Sequence, residues 1–308
     1  MRALLLVLPL MPVWQWTPLG AAQPPLPPPD HANLSYGPHT NNKLDLWLAK
    51  TDRPAPLVVF IHGGGFVGGD KKQARGGNLR KVLAAGASFA AINYRFRTEA
   101  PIQTVLRDCA RAIQFLRWKA KEFNIDKARV AAMGGSAGAG TSLWLAFHDD
   151  LADPRNPDPV LRESSRIVAA GATSTQATYD VLQWKDILGE AAEKFAAIVD
   201  VPSFYGFKTR EELHGPEGSR VRADVDMLGL ITKDDPPVYL VSSSRFDVLD
   251  SRRAVNHTAR HATAIAERCR KVGVPVVQRI VKDDTELEEL GSIGFVLSYL
   301  GVGVPKVN

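Results

Sequence analysis

A chain of 308 residues, 45% hydrophobic and 23% charged, has the make-up of a globular enzyme and the length for one large core. The net charge of +5 comes from lysines and arginines scattered among nearly as many acids, with no block of like charge and no basic stripe interleaved with aromatics, so no nucleic-acid partner is expected. Two cysteines, Cys109 and Cys269, sit in helical patterns and are expected as buried free thiols, although export would permit a bond; no Cys/His spacing suggests a metal.

In chain order, Arg2 is followed by an apolar run from Ala3 to Trp16 and by Gly20-Ala21-Ala22, the layout of a secretory signal peptide over residues 1–22. The run is too short for a membrane anchor and a proline-rich stretch follows it, so a secreted or periplasmic protein without a stable anchor is expected. Residues 23–39 read as a proline-rich lead-in and residues 40–303 as one domain. KLDLWLA (43–49) alternates with period two, as a half-buried strand near a sheet edge does. PLVVFIHGG (56–64), SFAAINYR (88–95) and RVAAMGG (129–135) are continuous apolar runs suited to strands buried on both faces. Helical spacing covers 102–123, a helix follows at 141–148, and IVAAGATS (167–174), PPVYLVSSS (236–244) and VPVVQRIV (274–281) supply three more strands. One long amphipathic helix is predicted over 254–272 and a terminal one over 286–300. Strands alternating with helices predict an α/β fold whose mainly parallel sheet is covered on both sides. Between 175 and 230 the strand rhythm stops, and Tyr179, Trp184, Phe195, Phe204, Tyr205 and Phe207 sit on mixed helix and loop. An insertion of that size reads as a lid or cap over a site, with some of its aromatics simply packing it to the body.

Two glycine motifs carry the chemistry. Gly134-Gly135-Ser136-Ala137-Gly138 fits G-x-S-x-G between a strand and a helix, where a tight turn lifts a serine hydroxyl above the sheet and aims a helix N-terminus at developing negative charge. His62-Gly63-Gly64-Gly65-Phe66 follows another buried strand, and its glycines let a loop approach a reacting carbonyl. The backbone N–H groups of Gly63 or Gly64, with that of Ala137, are the candidate oxyanion hole, and His62 is expected to orient the loop. No Lys-Ser/Thr follows the glycines as a phosphate-binding loop requires.

HGGGF, NYR (93–95), the helix RAIQFLRWKA (111–120) and GGSAGAG together resemble the α/β-hydrolase fold over residues 40–300. The similarity is to bacterial secreted esterases of the hormone-sensitive-lipase-like and BD-FAE-like branches. That resemblance implies Ser136 as nucleophile and a small-molecule ester as substrate, with no cofactor. Triads of this fold run in the order serine, acid, histidine. Asp247, with Asp250 behind it, lies in the loop after PPVYLVSSS, where the acid belongs. The loop after the last strand, where relatives of the fold carry the histidine, reads KDDTELEEL and has none; Asp284 stands there instead. His257 and His261, spaced i, i+4 in the first turns of the helix behind the acid loop, are the alternatives, and His257 is nearer the helix start. Asp284 as base is a poor acceptor at an ordinary carboxylate pKa. His148, beside Asp149 and Asp150, reads as a solvated helix end. These residues support an exported serine hydrolase of carboxylic esters, or a catalytically impaired hydrolase fold kept for binding because the usual histidine position is empty; a peptidase or amidase is the weakest of the three.

Overall fold

The computed structural model describes residues 27–74, 76–194, 201–282 and 292–303. Eight strands form one sheet in the order β1-β2-β4-β3-β5-β6-β7-β8: β1 (His31–Ser35), β2 (Lys43–Trp47), β3 (Ala55–Ile61), β4 (Ser88–Ile92), β5 (Ile125–Gly135), β6 (Ala170–Thr173), β7 (Val238–Ser243) and β8 (Val276–Val281). The first two pairings, β1 with β2 and β2 with β4, are antiparallel, and the five others are parallel. The expected α/β architecture holds, and the unbroken apolar runs are explained by the two faces they serve. Leu57, Val59 and Ile61 pack into the same core as α2 (Ile102–Trp118), α3 (Ala137–Phe147) and α11 (Ala259–Val272). Val58 faces the opposite core with α1 (Gly76–Ala84) and α12 (Ile293–Tyr299). Cys109 and Cys269 are buried and free.

Two elements depart from the expected layout. The sheet begins inside the lead-in, because β1 is made by its neighbours: the Asp45 carboxylate accepts the Asn33 N–H at 2.8 Å, Asp30 accepts the Leu48 N–H at 2.8 Å, and the Trp47 indole donates to the Pro27 carbonyl at 2.8 Å. The helix expected over 254–272 is two, α10 (Arg252–His257) and α11, because Thr258 leaves helical geometry with ψ 144°. Its hydroxyl oxygen instead accepts the Arg260 N–H and caps the second helix, as threonine does at such positions. Residues 1–22 lie outside the described residues, within which no helix is long and apolar enough to cross a membrane.

Between β6 and β7 the chain forms short helices: α4 (Trp184–Leu188), α5 (Ala191–Lys194), α6 (Val201–Phe204), α7 (Arg210–His214), α8 (Pro216–Asp224) and α9 (Met227–Leu230). Hydrogen bonds tie this segment to the sheet domain. Trp144 donates to the Asp224 carbonyl at 2.8 Å, and Arg107 grips the Asp224 carboxylate through two contacts of 2.7 and 2.9 Å. His148 adds a third contact to the same carboxylate at 3.1 Å, so it is a paired, largely covered residue and not the solvated helix end the sequence suggested. Arg107 and His148 hold the Asp224 carboxyl well below its usual range, against the opposing effect of burial.

Candidate active site

The site is built where β5 turns into α3. Gly134 and Gly138 are required there by close approach: a Cβ on Gly134 would lie 2.4 Å from the Ile61 carbonyl oxygen, and one on Gly138 would lie 2.0 Å from it. Between them Ser136 has φ 53° and ψ −120°, a conformation that L-residues adopt only under constraint. Its N–H donates to the Thr173 carbonyl at 2.9 Å and its carbonyl accepts the Gly140 N–H at 3.0 Å, which fixes the turn to β6 on one side and α3 on the other. Ala137 opens α3, so its N–H has no intrahelical acceptor.

The glycine loop after β3 lies alongside. His62 is buried; its Nδ1–H donates to the Gly63 carbonyl at 2.7 Å, and its ring stacks on Tyr94 with centroids 4.3 Å apart. Tyr94 in turn donates to the His62 carbonyl at 2.8 Å. Burial lowers the His62 pKa, so the ring serves as a neutral brace for the loop. Gly64 has φ +115°, and a Cβ on it would meet the Gly68 carbonyl at 2.1 Å. The turn therefore demands glycine twice over, by dihedral and by space.

His257 reaches the serine. Its Nε2 lies 2.9 Å from Ser136 Oγ, and its half-buried ring sits beside Phe246, with centroids 5.7 Å apart. The imidazole comes from the last residue of α10, because the break at Thr258 ends that helix directly after it. The other histidine of the pair has a different role. His261 is buried, takes the Ala177 N–H on Nδ1 at 3.2 Å and gives its Nε2–H to the Val255 carbonyl at 3.0 Å. Both ring nitrogens are used, burial holds its pKa down at about 4, and it has no lone pair left for a serine proton. As an alternative base it is therefore excluded by its own bonding.

Asp247 is not brought to the imidazole. Its side chain is exposed, its N–H closes a short 3₁₀ turn onto the Ser244 carbonyl at 3.0 Å, and among the described residues no hydrogen bond or ion pair joins it to His257. The sequence placed it by chain order, and that order does not fix where a loop carboxylate points. Asp284, the other alternative base, lies outside the described residues. Among those residues no group of His, Cys, Asp and Glu is arranged to hold a metal.

Ser136 and Ala137 open onto a pocket of about 250 Å³. Tyr179, Trp184 and Phe204 from the β6–β7 segment line it, with Phe66 from the glycine loop. Tyr179 donates to the Ala137 carbonyl at 2.9 Å and meets Phe66 edge-on at 5.2 Å, so this wall is fixed to the serine turn itself. Tyr205 packs the segment internally, donating to the Tyr179 carbonyl at 2.6 Å and accepting the Val181 N–H at 2.9 Å. Some of the segment's aromatics thus line the pocket while others hold the segment together; Phe195 lies outside the described residues. Gln176, Arg97, Arg252 and Asn256 complete the polar part of the lining. None of these four has a motif around it, and only the tertiary fold reveals them.

The family model BD-FAE matches residues 44–209, more than half of the chain, a span that includes both glycine motifs and ends before His257. Among curated proteins, the esterase LipI of Mycobacterium tuberculosis is 32% identical over 192 residues, covering 60% of this chain and 54% of LipI. The probable isoprenylcysteine alpha-carbonyl methylesterase ICMEL2 of Arabidopsis thaliana is 34% identical over 125 residues, covering 40% of this chain and 29% of that protein. The chain thus spans from under a third to about half the length of these relatives. Among solved structures, a truncated carbohydrate esterase from gut microbiota superposes with TM-score 0.67 at 16% identity, covering 88% of this chain and 96% of that one. Native Est2 of Thermogutta terrifontis, an esterase, does so with TM-score 0.63 at 19% identity, covering 91% and 97%. At such identities the superpositions speak for the α/β-hydrolase fold alone, and it is the match over residues 44–209 that assigns the chain to the BD-FAE family.

Proposed function

We propose that this protein hydrolyses carboxylic esters through an acyl-enzyme on Ser136. The observation that carries the reading is the 2.9 Å contact between Ser136 Oγ and His257 Nε2 at a strained turn that opens onto a pocket. With its ring proton on Nδ1, His257 offers the Nε2 lone pair to the serine hydroxyl. As Oγ attacks the acyl carbon, the proton passes to Nε2 and the carbonyl oxygen becomes an oxyanion. The N–H of Ala137, free of helical bonding, and those of Gly63 or Gly64 are the donors for that charge. The imidazolium returns its proton to the departing alcohol oxygen; water then attacks the acyl carbon while giving a proton to the same nitrogen, and that proton passes to Ser136 Oγ as the bond from Oγ to the acyl carbon breaks and the acid leaves. The chemistry as proposed draws on no metal or organic cofactor.

Relatives named as esterases support the reading, and the aromatic lining and modest pocket suit a small acyl or aryl group. Residues 175–230 act as a cap over that pocket, and the pattern in residues 1–22 supports export. The rival reading, an impaired fold kept for binding, was motivated by the histidine-free loop after β8; His257 supplies an imidazole from elsewhere. Turnover of short-chain p-nitrophenyl esters by the wild type, Ser136→Ala and His257→Ala separates the two. An active wild type and two variants slowed by about 10³-fold or more support the hydrolase. A wild type no faster than buffer favours the binding protein.

A further inference from the structure

The pocket beside Ser136 has a charge that ester hydrolysis by itself does not call for. Arg97 and Arg252 both line it, and among the described residues no acidic one does. Several other arginines withdrawn from water are occupied. Arg95 pairs with Asp108 at 2.7 Å, Arg166 with Asp235 at 3.1 Å and Arg222 with Asp180 at 2.9 Å, while Arg117 donates to the Lys127 carbonyl at 3.0 Å. Neither the Arg97 nor the Arg252 side chain has a hydrogen-bond or ion-pair partner among the described residues. Arg97 is half-buried, and a guanidinium partly withdrawn from water gains most from an anion brought to it. Asp247 and Asp250, in the turn before α10, are exposed and neither lines the pocket.

The two cations are held on different arms of the site. Arg97 gives its backbone N–H to the Phe66 carbonyl at 2.7 Å, which anchors it to the glycine loop. Arg252 is the first residue of α10, the helix that ends in His257, and Ser251 caps it by accepting the Ala254 N–H. Asn256 and Gln176, also in the lining, are joined by the Gln176 amide donating to the Asn256 carbonyl at 2.9 Å.

Resting on the ester-hydrolase reading of this site, we infer that the preferred substrates are esters bearing a second, ionised carboxylate, which Arg97 and Arg252 bind while Ser136 attacks the ester carbonyl. A carboxylate takes paired donors from guanidinium groups in a planar arrangement, which fixes the substrate's direction as well as its affinity. Neutral esters of the same size lose that contact and leave two cations unpaired.

The test uses two matched pairs: 4-acetoxybenzoate against its methyl ester, with the charge on the leaving side, and monomethyl adipate against dimethyl adipate, with it on the acyl side. Each rate is divided by the ester's own hydroxide rate. In at least one pair we expect the wild type to prefer the anion by about tenfold or more in kcat/KM, mainly through KM, and the preference to shrink as salt is added. Arg97→Gln and Arg252→Gln each lower that ratio about tenfold, whereas Arg253→Gln, the same loss of charge outside the pocket lining, leaves it in place. No preference in either pair, or a ratio untouched by both pocket variants, overturns the inference. If the wild type cleaves none of the four esters, the hydrolase reading fails separately. Calorimetry with 4-acetoxybenzoate then decides: binding that is lost in Arg97→Gln and Arg252→Gln sustains the anion site, and no binding ends it.

Discussion

Gly138→Ala tests whether the serine turn is set by backbone contact with the strand before the glycine loop. The added Cβ would lie 2.0 Å from the Ile61 carbonyl oxygen and 2.8 Å from that of His62. Both atoms are backbone, one of them on a central strand, so no side chain can swing away. The head of α3 and the end of β3 must separate by more than an ångström. Overpacking of this kind costs about 1–3 kcal/mol, or several degrees of melting temperature in a domain of this size. The same separation moves Ala137 relative to Gly63 and Gly64; if they share an oxyanion, turnover falls by roughly 10²–10³-fold. Gly135→Ala is the control from the same motif: the nearest atom to its Cβ is the Thr173 carbonyl at 4.0 Å. It should melt within about 0.5 kcal/mol of wild type and keep its activity. Thermal unfolding and p-nitrophenyl acetate turnover on the three proteins make the measurement. A Gly138→Ala protein as stable and fast as wild type, or a Gly135→Ala protein damaged equally, would refute the reasoning.

Asp247→Ala should slow ester turnover by less than about tenfold, because the side chain is exposed and forms no hydrogen bond or ion pair with His257; a loss near 10⁴-fold, as for a triad acid, would show that it orients the imidazole after all. His261 should make stability depend on pH. Its folded pKa of about 4 lies below the ordinary 6.5, so the unfolded chain takes up the proton first. Its contribution is complete above about pH 6.5 and declines as pH falls toward 4, by about 3 kcal/mol in all. Urea unfolding of the wild type and His261→Asn at pH 7 and 4.5 measures it, and parallel losses in the two proteins would assign the slope to other groups.

The sheet was legible in the sequence because strands buried on both faces write their environment directly as apolar runs. The turn at Ser136 was legible too, since Gly134 and Gly138 are forced by backbone approach, whereas Gly135 has room for a side chain. What escaped depends on partners distant in the chain. HANLS (31–35) has a single large apolar residue, Leu34, and pairs as a strand through Asp45 and the residues around it. Nothing in the periodicity of 254–272 marks Thr258 as a break, since its apolar spacing suits a continuous helix; a capping hydroxyl won over helix continuity. The i, i+4 spacing of His257 and His261 suggested one shared face. The break gives each its own surroundings, one at Ser136 and one sealed between Ala177 and Val255. The neighbours of His148 in sequence are Asp149 and Asp150, but its partner is Asp224, distant in the chain. Arg97 and Arg252 belong to no pattern, and only the tertiary fold sets the loop residue and the first residue of α10 around one pocket.

The most direct test of the central claim is covalent labelling. Purified protein is treated with a fluorophosphonate, its intact mass is recorded, and the modified peptide is sequenced. A serine activated by an imidazole 2.9 Å away should give one adduct, on Ser136, within minutes. His257→Ala should label slowly, and Ser136→Ala should not label. An adduct on another residue, or equal labelling of wild type and His257→Ala, would contradict the account.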